Sequence, residues 1–257
     1  MGSALASGVA KRIPTEKIAL CDALPDKATA LAERLSCVNS TLAEVVFESE
    51  YLFIAVKPQT YQDLFREILP IIEKREKKPI FISMAAGTSI EKLTAILGAA
   101  YPIIRIMPNT PVAAGAGLTL YSHNAEVSED NIKEFLFAMT DTGIVLPIDE
   151  NKFDSETIVT GCGPAYVFTF IGALAKAAAS LGVSEENAEL FAKQTVFGAA
   201  KLAIESSESP EKLCQNVCSP GGSTIEGIKL MREKEFEKTV VDAAGASYQR
   251  TLEMKKL

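Results

Sequence analysis

The sequence predicts an α/β domain with a mostly parallel sheet, followed by an all-helical domain. Two patterns carry this. Up to about residue 147, short continuous apolar runs of strand length alternate with stretches of helical spacing. That is how strands look when crossover helices cover both faces of a parallel sheet. Beyond about residue 150 the strand-like runs stop and helical segments follow, interrupted at Gly182, Ser209-Pro210 and 219–223. The boundary is placed between a first domain, 1–149, and a second, 150–257.

In chain order, 17–22 (KIALCD) reads as a strand and 26–35 as a helix. Residues 51–56 (YLFIAV) form a strand-length apolar run, and 61–74 has helical spacing. Then come strand 79–83 (PIFIS), helix 89–97 and strand 102–107 (PIIRIM). Strands at 117–121 and 143–147 flank a helix at 129–140. The second half reads as helices at 163–181, 184–205, 210–217, 224–234 and 235–255. Its apolar positions, among them Val240, Val241, Ala244, Tyr248 and Leu252 on the last helix, suit either a dimer interface or an intrachain core.

Composition narrows the function. Of 257 residues, 47% are apolar and 23% charged, the profile of a globular protein with a sizeable core. A net charge of −7 argues against a nucleic-acid binder, which would carry a basic face. The five cysteines are odd in number and irregular in spacing, which points to a reducing compartment rather than a disulfide framework. Cys214 and Cys218 lie four apart, but the single histidine, His123, is remote in sequence, so two buried thiols are expected there and no metal. No signal peptide opens the chain. The uncharged stretch 157–175 is broken by Gly161-Cys162-Gly163-Pro164, leaving too little to span a bilayer before Lys176. A cytoplasmic protein with no membrane partner is expected.

Ligands of open parallel sheets bind beyond the carboxyl ends of the strands, and three such ends carry unusual loops here. They are Ala55-Val56-Lys57-Pro58-Gln59, Met84-Ala85-Ala86-Gly87-Thr88 and Met107-Pro108-Asn109-Thr110-Pro111. Small residues let a flat ring or a ribose approach the backbone, Lys57 can reach an anion or ribose, and Asn109 can hydrogen-bond a hydroxyl or amide. In the second half, Ser219-Pro220-Gly221-Gly222-Ser223-Thr224 precedes a helix. Such a turn exposes backbone N–H groups at the positive end of the helix dipole, an anion site of carboxylate size. Read alone, the same residues also suit a capped helix start. A third feature, Gly161-Cys162-Gly163-Pro164-Ala165-Tyr166, places Pro164 in the permitted first turn of a long helix. There the glycines serve packing, and Cys162 has no histidine nearby in sequence to make it a nucleophile.

The AVKP strand end, the MAAG loop, the MPNTP loop, the GCGPAY helix start and PEKLCQNVCSPGGSTIEGIKLM stand in this order along the chain. In that order and at that spacing the sequence resembles the pyrroline-5-carboxylate reductases from its first residue to its last. The resemblance implies a Rossmann-like N-domain and a helical C-domain that interlocks with a second subunit as a homodimer, with larger rings known in the family. It implies reduction of 1-pyrroline-5-carboxylate to proline with NADP or NAD as cofactor, the preference left open. Cofactor contacts would come from Gly2, Asp22, Ala55, Val56, Lys57, Pro58, Ala85, Ala86, Gly87, Met107, Pro108 and Asn109. The substrate carboxylate would rest on Ser219, Gly221, Gly222, Ser223 and Thr224, with Thr224 nearest the imine nitrogen as the catalytic side chain. A protonated cyclic imine is electrophilic enough to accept hydride without nucleophile or metal.

Three departures from the family pattern stand out. The family opens with a strand and a GxGxxG turn, whereas this chain starts at Met1-Gly2-Ser3-Ala4, so Gly2 corresponds to the third glycine. The expectation is a start about ten residues inside the natural protein, with exposed edges in mid-sheet. Asp22 lies about 20 residues past Gly2, where an acidic group suits the ribose of NAD, although a turn cap is an equal reading. Gly172 stands where the family often has Glu or Asp. Two competing readings remain. One is a beta-hydroxyacid dehydrogenase using Lys176 in a GxxxKxxxS pattern. The other is a proline or imino-acid binding regulatory protein with an impaired cofactor site.

Overall fold

The structure is a computed structural model and describes residues 1–254. The chain forms two compact units. One is Met1–Gly161 together with the end of the last helix from Tyr248, and the other is Cys162–Ser247.

Strands β3 (Tyr51–Ile54), β4 (Ile80–Ser83), β5 (Ile103–Met107), β6 (Gly117–His123) and β7 (Gly143–Pro147) form a five-stranded sheet in chain order. All neighbours are parallel except β5 and β6, which run antiparallel. Their link is a nine-residue loop containing a short 3-10 turn, Thr110–Ala114, too short for a parallel crossover. A second sheet holds only β1 (Ala19–Leu20) and β2 (Val38–Asn39), paired in parallel. Among the described residues nothing pairs β1 with β3, so the parallel layer is divided, with edges inside the sheet. The strand expected at 17–22 shrinks to two residues for the same reason, because one flank has no partner.

The side-chain alternation of the strands separates two cores. Leu52, Ile54, Phe81 and Ile103 face α4 (Tyr61–Ile72) and α5 (Ile90–Leu97). Helix α4 buries Tyr61, Phe65, Ile68 and Ile72, a stripe at helical spacing. The rings of Tyr61, Phe65, Phe81 and Tyr101 meet edge to face along that layer at 5.4–5.6 Å. Ile80, Ile82, Ile104 and Ile106 point the other way, toward Leu5, Phe135 and Met139 of α1 (Gly2–Val9) and α6 (Glu129–Met139). Helix ends follow local chemistry. Ser89 caps α5, which stops at Gly98 with φ 67°. Ser128 and Asn131 form a reciprocal cap on α6. Helix α2 spans Pro25–Leu35. Helix α3 (Leu42–Glu48) escapes a periodicity reading because it is short, yet Thr41 and Glu44 spell its capping box.

From Glu150 the chain is helical almost without a break. It runs through a 3-10 turn, then α7 (Phe153–Thr157), a π turn at Ile158–Cys162 and α8 (Gly163–Ser180). From sequence, Gly161-Cys162-Gly163-Pro164 is expected to break the apolar stretch. The π turn instead carries the helix past the proline, whose absent N–H falls where the bonding pattern is already shifted. The run Glu150–Ser180 is therefore long and apolar enough to cross a bilayer by length and composition.

The helical unit continues with α9 (Glu185–Glu205), α10 (Pro210–Val217), α11 (Ser223–Glu233) and α12 (Phe236–Met254). The expected end of the last helix, residue 255, lies outside the described residues. Helices α8 and α9 form a hairpin about Gly182, whose φ of 92° admits the tight turn. Tyr166 ties α8 to α12, its hydroxyl 2.6 Å from Ser247 Oγ and donating to the Ala243 carbonyl at 3.2 Å. Only Ala188 and Ala192 are buried in this unit among the described residues.

Candidate active site

The three small-residue loops follow β3, β4 and β5, which are adjacent in the sheet, so the fold brings them to one edge. Their residues divide by exposure. Ala55, Val56 and Lys57 are exposed, as is Ala86, while Gly87 turns the second loop with φ 72°. Ala85, Pro108 and Tyr61 are buried. Ala85 packs into the first core, so its methyl group supports the loop from below, and only its neighbours Ala86 and Gly87 present surface. The Tyr61 hydroxyl donates to Ile54 O at 3.1 Å and lies 3.0 Å from Ser83 Oγ, bracing the ends of β3 and β4. Burial pushes the Tyr61 phenol up to about 12, so it stays neutral.

Asn109 is held on both sides. Its Oδ1 accepts from Leu118 N at 3.0 Å and its Nδ2 donates to Thr160 O at 3.0 Å. The amide expected to meet a ligand is thus engaged with β6 and with the π turn. Those two bonds fix the loop. Asp22 Oδ1 accepts from Leu24 N at 2.9 Å, which is the turn-capping role weighed from sequence; the carboxylate remains exposed.

Gly2 opens α1. A Cβ there would meet Ala55 Cβ at 2.8 Å, so only glycine lets the helix start lie against the end of β3. Met1 supplies no side-chain cap, and the first N–H groups of α1 remain free for an anion. This close approach, the exposed small residues of the adjacent loops and the uncapped helix start fit the nicotinamide and ribose of a dinucleotide with an anionic group at α1.

In the helical unit, Gly221 has φ 71° and Gly222 N–H donates to Ser219 O at 3.0 Å, closing a turn that delivers the chain to α11. A Cβ on Gly222 would press on Ser219 O at 3.1 Å. Gly222 is the N-cap of α11 and has no side chain to offer, so the N–H groups of Ser223 and Thr224 are uncapped. Ser219, Gly221, Ser223 and Thr224 are all exposed. Just before this turn, Cys214 and Cys218 are free thiols, half-buried rather than buried as the spacing suggested, on a helix with no fully buried residue. Among the described residues no three His, Cys, Asp or Glu side chains gather in a metal-binding group. His123 sits on the exposed end of β6, stacked on Tyr121. Lys176 is exposed on α8, and Gly172 on the same helix has open space where a Cβ would project.

The sheet also holds a buried charge that the sequence expectations do not include. Arg105, in the middle of β5, is 1% exposed and pairs with Glu150 at 2.8 Å and Asp154 at 3.5 Å. Its signal was visible as a lone cation inside the apolar run PIIRIM.

Comparison with known proteins agrees with these features. Residues 150–254 match the family model for pyrroline-5-carboxylate reductase dimerisation. Residues 1–87 match the model for NADP oxidoreductase, coenzyme F420-dependent. The chain is 36% identical over 250 residues to the pyrroline-5-carboxylate reductase of Aquifex aeolicus, covering 97% of this chain and 92% of that one. A pyrroline-5-carboxylate reductase from Coxiella burnetii superposes with a TM-score of 0.88 at 30% identity, over 100% of this chain and 95% of that one. The pyrroline carboxylate reductase of Plasmodium falciparum, solved with NADP bound, superposes with a TM-score of 0.85 at 29% identity, over 99% and 94%. With its divided Rossmann-like sheet, its helical second unit and relatives that match along nearly its whole length, this chain belongs to the pyrroline-5-carboxylate reductase family.

Proposed function

We propose that this enzyme reduces 1-pyrroline-5-carboxylate to L-proline with NADPH or NADH, the last step of proline biosynthesis. The observation that carries the substrate assignment is the uncapped start of α11 behind the Gly221 turn. Two backbone N–H groups and the helix dipole suit a small carboxylate, and Ser223 Oγ adds a donor. Thr224 Oγ1, one residue deeper, orients the imine nitrogen, and solvent supplies its proton. In the sheet unit, the exposed atoms of Ala55, Val56, Ala86 and Gly87 let a flat ring lie on the backbone. Lys57 and the start of α1 take ribose and phosphate groups, and Asp22 keeps one carboxylate oxygen for a ribose hydroxyl. When bound, the reduced nicotinamide supplies the hydride; the chain's own work is placement of the ring face and the imine carbon.

A homodimer that completes the substrate site from a second subunit is part of this proposal. The apolar surface of the helical unit supports it, and a larger ring and a cytoplasmic location accompany it. Domains of 1–149 and 150–257 remain the proposed functional division. The test is oxidation of NADH or NADPH on addition of 1-pyrroline-5-carboxylate. No oxidation of either, with tight proline binding, would replace the enzyme reading with the regulatory one. Turnover of a 3-hydroxyacid dependent on Lys176 would replace it with the dehydrogenase reading.

A further inference from the structure

Arg105 is an expensive residue for its position. Burying a guanidinium and a carboxylate costs several kcal/mol per ion before their attraction offsets it, by the general figure for charges removed from water. An apolar residue in the middle of a strand would pack there without that cost. The network is also unsaturated: Arg105 Nε and Glu150 Oε2 have no partner among the described residues. Fold stability is therefore a poor reason for it.

Its geometry suggests another. Glu150 Oε1 accepts from Arg105 Nη1 at 2.8 Å and from Ile90 N at 3.0 Å. Ile90 is the first residue of α5 and follows directly on the Met84-to-Ser89 loop. Arg105 stands two residues before Met107, where the third loop begins. One carboxylate oxygen thus holds the base of the second loop and the base of the third together. The guanidinium itself is fixed from two more directions. Its Nη2 lies 3.5 Å from Asp154 Oδ1, and its carbon lies 3.8 Å from the centroid of the Phe153 ring.

We propose that Arg105 and Glu150 are positioning residues for the nicotinamide half of the cofactor. Their ion pair sets the spacing between the loops at 84–89 and 107–109. Neither residue touches the reacting atoms. They hold the bases of two of the loops that would position the ring, and a displacement of about 1 Å in such positioning groups costs up to about a hundredfold in rate. The inference rests on the proposed cofactor site.

The test compares full-length wild type with Glu150→Ala, Glu150→Gln and Arg105→Met. The readouts are KM for NADPH, KM for the imine acid, direct fluorescence titration of NADPH without substrate, and the thermal midpoint. In Glu150→Ala both the KM and the Kd for NADPH should rise by about tenfold or more, as expected for lost pre-organisation. The KM for the imine acid should stay within about twofold, because the Gly221 turn is untouched. Glu150→Gln keeps an acceptor for Ile90 N and for Arg105, and it should recover much of the loss. The inference is overturned if Glu150→Ala lowers the thermal midpoint while the NADPH constants stay at wild-type values, or if both KM values rise together. A wild type that binds NADPH but turns over no imine acid would sink the functional reading alone, and the titration would still decide the role of Arg105 and Glu150. A wild type that binds no NADPH sinks both.

Discussion

The two units of this chain bury their apolar residues very differently. The sheet unit encloses Phe65, Phe81, Phe135 and Ile104 to within 1% of full burial. The helical unit buries two alanines and leaves Leu181 at 85% exposure, Ile204 at 83% and Phe197 at 63%. Helices α8 to α12 are as apolar as a core, yet within one chain they have nothing to be the core of. Exposed patches of this extent mark an interaction surface, and the family model for dimerisation covers these residues. The sheet unit encloses its own core, whereas the helical unit presents an apolar surface that the match to a dimerisation family assigns to contact with further copies of the chain.

The sharpest way to break this contrast is to charge the helical surface. Phe197→Glu should convert a dimer to monomer, measured by light scattering, and abolish turnover. Burying a carboxylate in an apolar interface is opposed by several kcal/mol on general solvation grounds, far more than a single aromatic contact contributes. A matching change at exposed Phe137 of α6 should leave the dimer intact. A monomeric wild type would end the two-copy account.

The next effect belongs to the Gly221 turn, the proposed carboxylate site. Thr224→Ala should lower kcat/KM by about a hundredfold, the lower end of the range for loss of one well-placed polar group. Lys176→Ala should change it by less than about twofold, within the usual effect of a solvated lysine. Steady-state kinetics on both variants checks the order, and equal losses would move the chemistry away from α11.

Within the sheet unit, Asn109→Ala removes two hydrogen bonds and leaves Leu118 N without its acceptor. The expected cost is about 1–3 kcal/mol of stability, read from chemical denaturation. Cofactor affinity should fall with it, because the loop is no longer pinned to the π turn.

Tyr61 gives the smallest and most local effect. Its phenol, ordinarily near 10, is raised to about 12 by burial, so the unfolded chain loses that proton first as pH rises. Tyr61 therefore contributes full stability below pH 10 and loses it progressively as pH climbs toward 12. Tyr61→Phe should flatten that part of the stability–pH curve, followed by thermal midpoints from pH 9 to about pH 11. An unchanged slope would mean that other tyrosines carry it.

Much of the molecule was legible from residues alone, because the signals were local. The strands YLFIAV, PIFIS and PIIRIM declare themselves by continuous apolarity, and Ser89, Ser128 and Ser209 mark helix starts by side-chain capping. The turn before α11 is spelled by two glycines, the first of which takes a positive φ of 71° that few other residues permit. Three things were not legible. Asn109 looks the same in sequence whether its amide faces a ligand or pins a loop; its partners, Leu118 N and Thr160 O, come from 9 and 51 residues away. The continuity of the helix through Pro164 depended on a π turn that no residue pattern announces. Ala85 reads as part of an open loop, yet the fold turns it into the core.

The sequence by itself determined the alternation of strands and helices, the glycine turn before α11 and the family, since each rests on neighbours along the chain. Tertiary structure alone decided that Glu150 joins Ile90 N and Arg105 at the bases of two loops, and that the Asn109 amide engages Leu118 N and Thr160 O. Those outcomes depend on which distant groups arrive at the same point, and hydrogen bonds and buried charges are satisfied by proximity in space, not by order in the chain.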